Sequence, residues 1–350
     1  MWIKCSVFAV ALGALVAFST TIADELKLRP DRPDEYVVVR GDTLWDISSM
    51  FLEDPWRWPE IWHINPEIAN PHLIYPGDRL ALVYRDGKPV LEVRRGPKAG
   101  MPVIKLSPHA RATPLSGAIP TVPTSALNQF ISQPRILSQD EIDQAGYVLA
   151  SEGGHLISGT GAKIYARDME MQDGNAFSVF RIGKPYYAHG TKNLLGYEAV
   201  HVSDAQLIEG GDPTTLIISD SKRETLVGDR LLTVNEDDID ENFIPHPPEG
   251  AVEGHIISIL DGISRAGQYQ SVVIDLGTRD GMERGHVLAV YQSGIRVQDH
   301  RAQSDADRWV TLPDERAGVV MIYRAFEHAS YALIMRALKD MRVGDKLAKP

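Results

Sequence analysis

Cysteine is almost absent from this chain, which has one in 350 residues, Cys5. Cys5 precedes an apolar run at residues 7–18, with Lys4 before the run and small residues at 21–23 after it. This is the layout of a secretory signal peptide, which we expect over residues 1–23. The mature chain would then have no disulfide, no thiolate metal site and no cysteine nucleophile. Such an exported, disulfide-free chain suits the bacterial periplasm.

Clustered positive charge and catalytic motifs are lacking too. The net charge is −11, which argues against a nucleic-acid partner because phosphate binding needs clustered Lys and Arg. No later segment is apolar enough to cross a bilayer. Neither a His-x-His or His-Glu-x-x-His zinc pattern nor a Gly-x-Ser-x-Gly elbow or phosphate loop occurs. We therefore expect a non-catalytic protein with no metal and no cofactor. A two-carboxylate glycosidase stays open, because 47 acidic residues supply many pairs.

The clearest pattern lies at residues 36–83. It predicts a strand, a turn at Gly41-Asp42, a helix capped by Thr43, a second helix with Pro59 in its first turn, and a returning strand at 79–83. The segments GDTLWDIS, WPEIW and NPHLIYPGD follow one another within it. This βααβ pattern resembles the LysM module, a small domain that binds glycans containing N-acetylglucosamine.

Four of the six tryptophans fall in the same segment: Trp45, Trp56, Trp58 and Trp62. A module of this size is marginally stable, so we expect most of these rings in its core, where they replace disulfides with buried apolar area. One exposed ring against a sugar face stays open, and the sequence does not say which ring it would be.

In the LysM family, the glycan lies in a shallow groove between the first turn and the loop before the second strand. Backbone N–H and C=O groups over a small apolar floor suit the amide and methyl of an N-acetyl group. His72 is equally well explained as a solvent-exposed loop residue. The resemblance implies glycan contacts from Gly41, Asp42, Thr43, Leu44, Asn70, Pro71, His72, Leu73 and Ile74.

Beyond this segment the chain reads as a Pro-rich linker at 94–135 followed by two related halves. Residues 161–180 parallel 271–291, and Val227-Gly-Asp parallels Val343-Gly-Asp. Short strands between Gly-containing turns predict small barrels or sandwiches. The overall prediction is an α+β chain: a βααβ module, then β-rich modules at 146–235 and 252–350 that arose by duplication, with an acidic, Pro-bearing joint at 236–251.

A narrower resemblance rests on the Trp-rich residues 54–62, the loop 70–77 and the linker segment 118–123. These are similar to the LysM proteins associated with the type IV pilus secretin (TsaP-like), whose C-terminal region is similar to the flagellar T-ring protein FlgT. That resemblance implies a periplasmic protein that holds peptidoglycan and contacts the outer-membrane secretin ring. The alternatives are a LysM-targeted wall hydrolase or hydrolase activator, and an envelope protein without pilus ties.

Overall fold

A computed structural model describes most of the chain as one small α/β module and two β-barrels. The predicted signal peptide, nearly all of the predicted linker and much of the acidic joint lie outside the described residues. The described residues are 26–62, 74–94, 135–169, 175–233, 244–260, 264–302, 304 and 308–350. Across these ranges the structure is mostly β, and its α-helices are short.

The N-terminal module, residues 26–94, has the βααβ order that the sequence predicts, with one further strand. Its three strands form an antiparallel sheet in the order β1-β2-β3. A one-turn 3₁₀ helix at Pro55–Arg57 leads into the second α-helix. The elements are β1 Glu35–Val37, α1 Leu44–Phe51, α2 Trp58–Trp62, β2 Arg79–Arg85 and β3 Lys88–Arg94.

Strand β3 was not predicted, although its signal is in the sequence. Asp86 and Gly87 join β2 to β3, and both have positive φ, at 50° and 77°. Asp-Gly is a preferred pair for a two-residue hairpin turn that needs positive φ at both central residues. The turn therefore continues the sheet past residue 83, where the predicted module ends.

The core of the N-terminal module forms around its two helices. Phe51, Trp58 and Ile61 from the helical segment meet Leu80 and Leu91 from the sheet, and all five are almost completely buried. Burying a side chain of this size stabilises a fold by about 1.5–3 kcal/mol. A few such residues therefore supply most of the stability of so small a module.

The first barrel, residues 135–233, closes through the strand order β5-β7-β10-β9-β8-β12, with β12 paired back to β5 and β4 added beside β9. A capping box, for which Ser138-Gln-Asp-Glu141 is the sequence signature, is present at the start of α3, where Ser138 and Glu141 exchange hydrogen bonds. The elements are β4 Arg135–Leu137, α3 Gln139–Gln144, β5 Gly146–Ser151, β6 Ile157–Ser158, β7 Lys163–Arg167, β8 Ala176–Tyr187, β9 Leu194–Glu209, β10 Thr214–Ser221, β11 Thr225–Leu226 and β12 Arg230–Thr233.

The second barrel, residues 253–348, closes through the order β13-β15-β20-β19-β16-β22. A short hairpin, β17–β18, is inserted between β16 and β19. The elements are β13 Glu253–Ile259, β14 Arg265–Ala266, β15 Ser271–Ile274, β16 Val287–Gln292, β17 Arg296–Gln298, β18 Trp309–Thr311, β19 Glu315–Ala325, β20 Ser330–Ala337, β21 Met341–Arg342 and β22 Lys346–Ala348.

The two barrels have the same strand order, as a duplication requires. Apart from the inserted hairpin, β5 to β12 correspond in turn to β13 to β22, including the small β6–β11 and β14–β21 ribbons. The repeated Val-Gly-Asp turns also match in detail. The N–H of Gly228 donates to Val148 O at 2.8 Å, and that of Gly344 donates to Ile256 O at 2.8 Å. The repeat visible in the sequence is thus a repeat of one barrel topology.

Candidate binding site of the N-terminal module

Two turns of the N-terminal module are held side by side. The first, at residues 39–42, is closed by the Asp42 N–H donating to Val39 O. The second, at residues 75–78, is attached to the end of β1, because the Gly77 N–H donates to Val38 O at 2.8 Å and the Val38 N–H donates to Asp78 O at 2.9 Å. The structure therefore places the first predicted turn beside residues 75–78, which directly follow the predicted loop at 70–74.

Glycines give both turns their shape. Gly41 has φ of 101° and Gly77 has φ of 100°, a backbone conformation that residues with a Cβ rarely adopt. Apart from the two chain neighbours of each glycine, no group of the described residues lies within 4 Å of the position of a Cβ on Gly41 or Gly77. The surface beside both turns is therefore backbone that a ligand can approach closely.

Asp42 holds the first turn together. Its Oδ2 accepts a hydrogen bond from the Tyr36 hydroxyl at 2.9 Å and another from the Val39 N–H at 2.8 Å. Burial and the neighbouring Asp42 carboxylate together raise the pKa of Tyr36, so the phenol stays a donor at neutral pH. Asp42 thus has a structural role here, and Gly41 beside it is exposed.

Thr43 and Leu44 begin helix α1, and their side chains are buried. Thr43 is the predicted N-cap: its Oγ1 accepts the Asp46 N–H at 3.1 Å, and its hydroxyl donates to Asp46 Oδ2 at 2.7 Å. Leu44 belongs to the module core. Any contact that these two residues make with a glycan therefore comes from their backbone.

Loss of the Thr43 cap has a measurable cost. Thr43→Ala removes the side-chain acceptor of the helix N-terminus, and such changes cost about 1 kcal/mol. We expect a decrease of that size in the free energy of unfolding of the N-terminal module, measured by denaturant titration. Thr43→Ser keeps the hydroxyl and serves as the control. Equal stability of the two variants would contradict the capping role.

Of the predicted residues in the second loop, only Ile74 is described; Asn70, Pro71, His72 and Leu73 lie outside the described residues. Ile74 is fully buried in the module core, so it forms the floor of the turn. The next residue, Tyr75, is 37% exposed and begins the turn that contacts β1. Sequence reasoning missed Tyr75, although an aromatic residue at the start of a Pro-Gly turn was a visible signal.

All four tryptophans of the module are buried. Trp58 and Trp62 belong to the module's own core, so two of the four rings, and not most of them, lie where the sequence analysis expected them. Trp45 and Trp56 instead belong to a second buried cluster that continues into the second barrel through residues such as Val319. Tyr75, and not one of these tryptophans, is the exposed aromatic side chain next to the paired turns.

The N-terminal module is docked on the second barrel through helix α1 and the segment after it. The Tyr269 hydroxyl donates to Asp46 Oδ1 at 3.1 Å, and Arg336 donates to Glu53 O at 3.1 Å. Burial, with the nearby Asp46 carboxylate, raises the pKa of Tyr269 to about 12. A cleft of about 610 Å³ borders this junction, with Trp45 in its wall. The position of the paired turns relative to the barrel is thus set by direct contacts.

Comparison with known proteins supports the assignment of this segment. The LysM domain family matches residues 36–82. A curated relative, the uncharacterized protein YqbP of Bacillus subtilis strain 168, is 37% identical over 68 residues. That alignment covers 16% of this chain and 31% of the relative, so the chain spans about a third of the length of the relative it matches. The N-terminal module is therefore a LysM domain, which implies peptidoglycan binding and association with the cell wall.

Among the helices in the described part of the chain, none combines the length and the apolar character needed to cross a bilayer.

Proposed function

We propose that this protein is a non-catalytic periplasmic anchor that holds peptidoglycan through its LysM module and an outer-membrane secretin complex, of the type IV pilus class, through its barrels. The observation that carries the wall-binding half is the LysM match over residues 36–82, combined with the two glycine turns held side by side. The secretin half rests on the sequence resemblance described above. Export through residues 1–23 belongs to the same proposal.

Recognition of the glycan would use backbone groups and one aromatic ring. Gly41 and Gly77 leave the backbone open next to the turns, and Tyr75 offers an exposed ring face. Residues 70–73 would supply the other side of the groove, as the resemblance implies. Residues 36–83 contain three Arg and seven Asp or Glu, so attraction to a polyanion is not the mechanism. A neutral sugar with N-acetyl groups suits this surface.

The barrels would hold the protein partner. Many copies around a ring would bind the wall together, because linked sites raise the effective concentration of each one. A single LysM module then needs only weak affinity for its glycan. Under this proposal, the small LysM module binds the wall and the two larger barrels bind the protein partner.

A matched pair of tyrosines tests the glycan site. Tyr75 lies beside the paired turns. Tyr84 lies near the far end of β2 and is 59% exposed. It is about 17 Å from Arg79, the first residue of that strand, at a rise of about 3.4 Å per residue. Stacking of an aromatic ring contributes about 0.5–1.5 kcal/mol, so Tyr75→Ala is expected to weaken binding to purified sacculi roughly two- to tenfold. Tyr84→Ala should bind as the unmodified chain does.

Sedimentation of the full chain with sacculi gives this measurement, and equal binding by the two variants would contradict a site at the turns. Two further assays address the rest of the proposal. Cross-linking in envelopes, followed by purification, should recover the secretin with the barrels. A zymogram that shows muropeptide release by the purified chain would overturn the non-catalytic assignment and favour the hydrolase alternative.

A further inference from the structure

Three potential metal ligands meet at one edge of the second barrel, away from the LysM module's paired turns. His246, Glu283 and His286 each have a ligand atom within 4.8 Å of the others. Nε2 of His246 lies 2.9 Å from Glu283 Oε1, and Nε2 of His286 lies 3.6 Å from the same oxygen. His286 is buried, His246 is half-buried and Glu283 is exposed. The cluster therefore has a fixed inner member and an open outer side.

The backbone builds this cluster from two distant segments. The His246 N–H donates to Gly285 O at 3.1 Å, and the Val287 N–H donates to His246 O at 2.9 Å, which forms a parallel bridge. Gly285 has φ of 94°, and a Cβ there would lie 2.6 Å from Ile244 O and 3.0 Å from the His246 ring. Only glycine therefore lets the His246 ring come this close to the turn.

Both ring nitrogens of His246 face oxygen atoms. Its Nδ1 lies 2.9 Å from the carbonyl oxygen of Ile244, and its Nε2 lies 2.9 Å from Glu283 Oε1. In the tautomer that donates its Nδ1–H to this carbonyl, the Nε2 lone pair faces the side of Glu283, where a cation would bind. A ring N–H donated to a backbone carbonyl is also the usual way in which a metal-ligating histidine is oriented.

His286 requires one adjustment to bind a metal. Its Nδ1 accepts the Glu283 N–H at 3.2 Å, and in that tautomer the ring proton is on Nε2. Coordination through Nε2 moves this proton to Nδ1, with no change in ring charge, and breaks the long contact with the Glu283 N–H. The turn at residues 283–286 is therefore expected to shift when a metal binds.

We propose that His246, Glu283 and His286 form a binding site for a first-row divalent cation of the zinc class. Two imidazole nitrogens and one carboxylate oxygen, with water in the fourth position, are a known ligand set for Zn²⁺. Hard ions such as Mg²⁺ and Ca²⁺ prefer ligand sets made of oxygen alone. A bound ion would fasten the described end of the acidic joint, at His246, to the turn before β16.

Titration calorimetry on the full chain, prepared without a histidine tag and freed of metal by chelation, tests the site. We expect one Zn²⁺ per chain and little heat with Mg²⁺ or Ca²⁺. His246→Ala and Glu283→Gln should each weaken Zn²⁺ binding at least about tenfold, since even the loss of an outer-shell partner has an effect of that order. His155→Ala, an exposed histidine in the first barrel, is the matched control and should bind normally.

The result that overturns the proposal is Zn²⁺ binding that is undetectable, equally strong in His246→Ala, or no stronger than Mg²⁺ binding. Circular dichroism of each variant, compared with the unmodified chain, identifies any that misfold. Both key substitutions change half-buried or exposed side chains, so they test ligation without opening the barrel core. With Co²⁺ in place of Zn²⁺, a visible absorption band that is lost in both variants would confirm the ligands directly.

Discussion

Replacing Trp58 with alanine is expected to unfold the LysM module and abolish sacculus binding while both barrels stay folded. Trp58 is 1% exposed and packs in the module core with Phe51 and Ile61. Trp→Ala in a core costs about 3–5 kcal/mol, which is comparable to the whole stability of a small module. Each barrel has an interior cluster of its own, so both should stay folded. Unfolding of the module removes Trp45 and Trp56 from the cluster shared with the second barrel, so the transition of that barrel should fall more than that of the first.

Denaturant unfolding followed by circular dichroism, together with sacculus sedimentation, checks this result. Trp309→Ala is the matched control, because Trp309 is 48% exposed on the β17–β18 hairpin and exposed substitutions away from special features usually change stability by less than about 0.5 kcal/mol. Loss of the contact between its ring and Arg296 adds a small amount to the free-energy cost of this substitution. Full sacculus binding by Trp58→Ala would mean that the wall-binding surface lies outside the LysM module.

The second large effect is expected from Gly318→Ala in strand β19. A Cβ at this position would overlap the carbonyl oxygen of Arg336 on the neighbouring strand β20 and would lie 2.5 Å from Cε of Met341. The backbone oxygen has no room to move away without breaking the sheet. Overpacking costs about 1–3 kcal/mol, and the unusual φ of Gly318 adds about 1–3 kcal/mol of strain. We expect the free energy of unfolding of Gly318→Ala to be lower by about 3 kcal/mol or more in total.

Two other glycine substitutions, one of them at the equivalent position of the first barrel, serve as controls with smaller expected effects. Gly196 takes the corresponding place in the first barrel, where a Cβ would lie 2.7 Å from Ile136 Cγ2 and 3.0 Å from Leu137 O. A flexible side chain can yield, so Gly196→Ala should cost less than Gly318→Ala. Gly250→Ala, with nothing within 4 Å, should be close to neutral. A thermal unfolding series that departs from this order would contradict the close-contact explanation.

Local features of the fold could be predicted from the sequence because they rest on neighbouring residues. The Thr43 cap, the Ser138 capping box and the repeated Val-Gly-Asp turns all have short signatures, and each is present. Strand β3 had a signature as well, the Asp86-Gly87 pair, but the family pattern ended before it. The LysM module and the strand-rich C-terminal region could thus be predicted from local rules and one repeat, whereas the predicted α+β class fits only loosely, because the described structure is mostly β.

Contacts between distant segments could not be predicted in the same way. Nothing in the sequence distinguishes Trp45 from Trp58. In the structure, Trp58 packs inside its own module, whereas Trp45 packs against a barrel whose residues are more than 200 positions away in the chain. The approach of His246 to Glu283 depends on a single parallel bridge. At the candidate groove, the sequence and resemblance supplied the turn at Gly41-Asp42, whereas its pairing with residues 75–78 and the exposure of Tyr75 followed only from the structure.

The contacts between Asp46 and Tyr269 and between Glu53 and Arg336 determine how tension would pass through the molecule. A pull on the paired turns would pass through helix α1 to these contacts and from them into the second barrel. The junction would therefore act as a bracket that transmits load from the LysM module to the barrel.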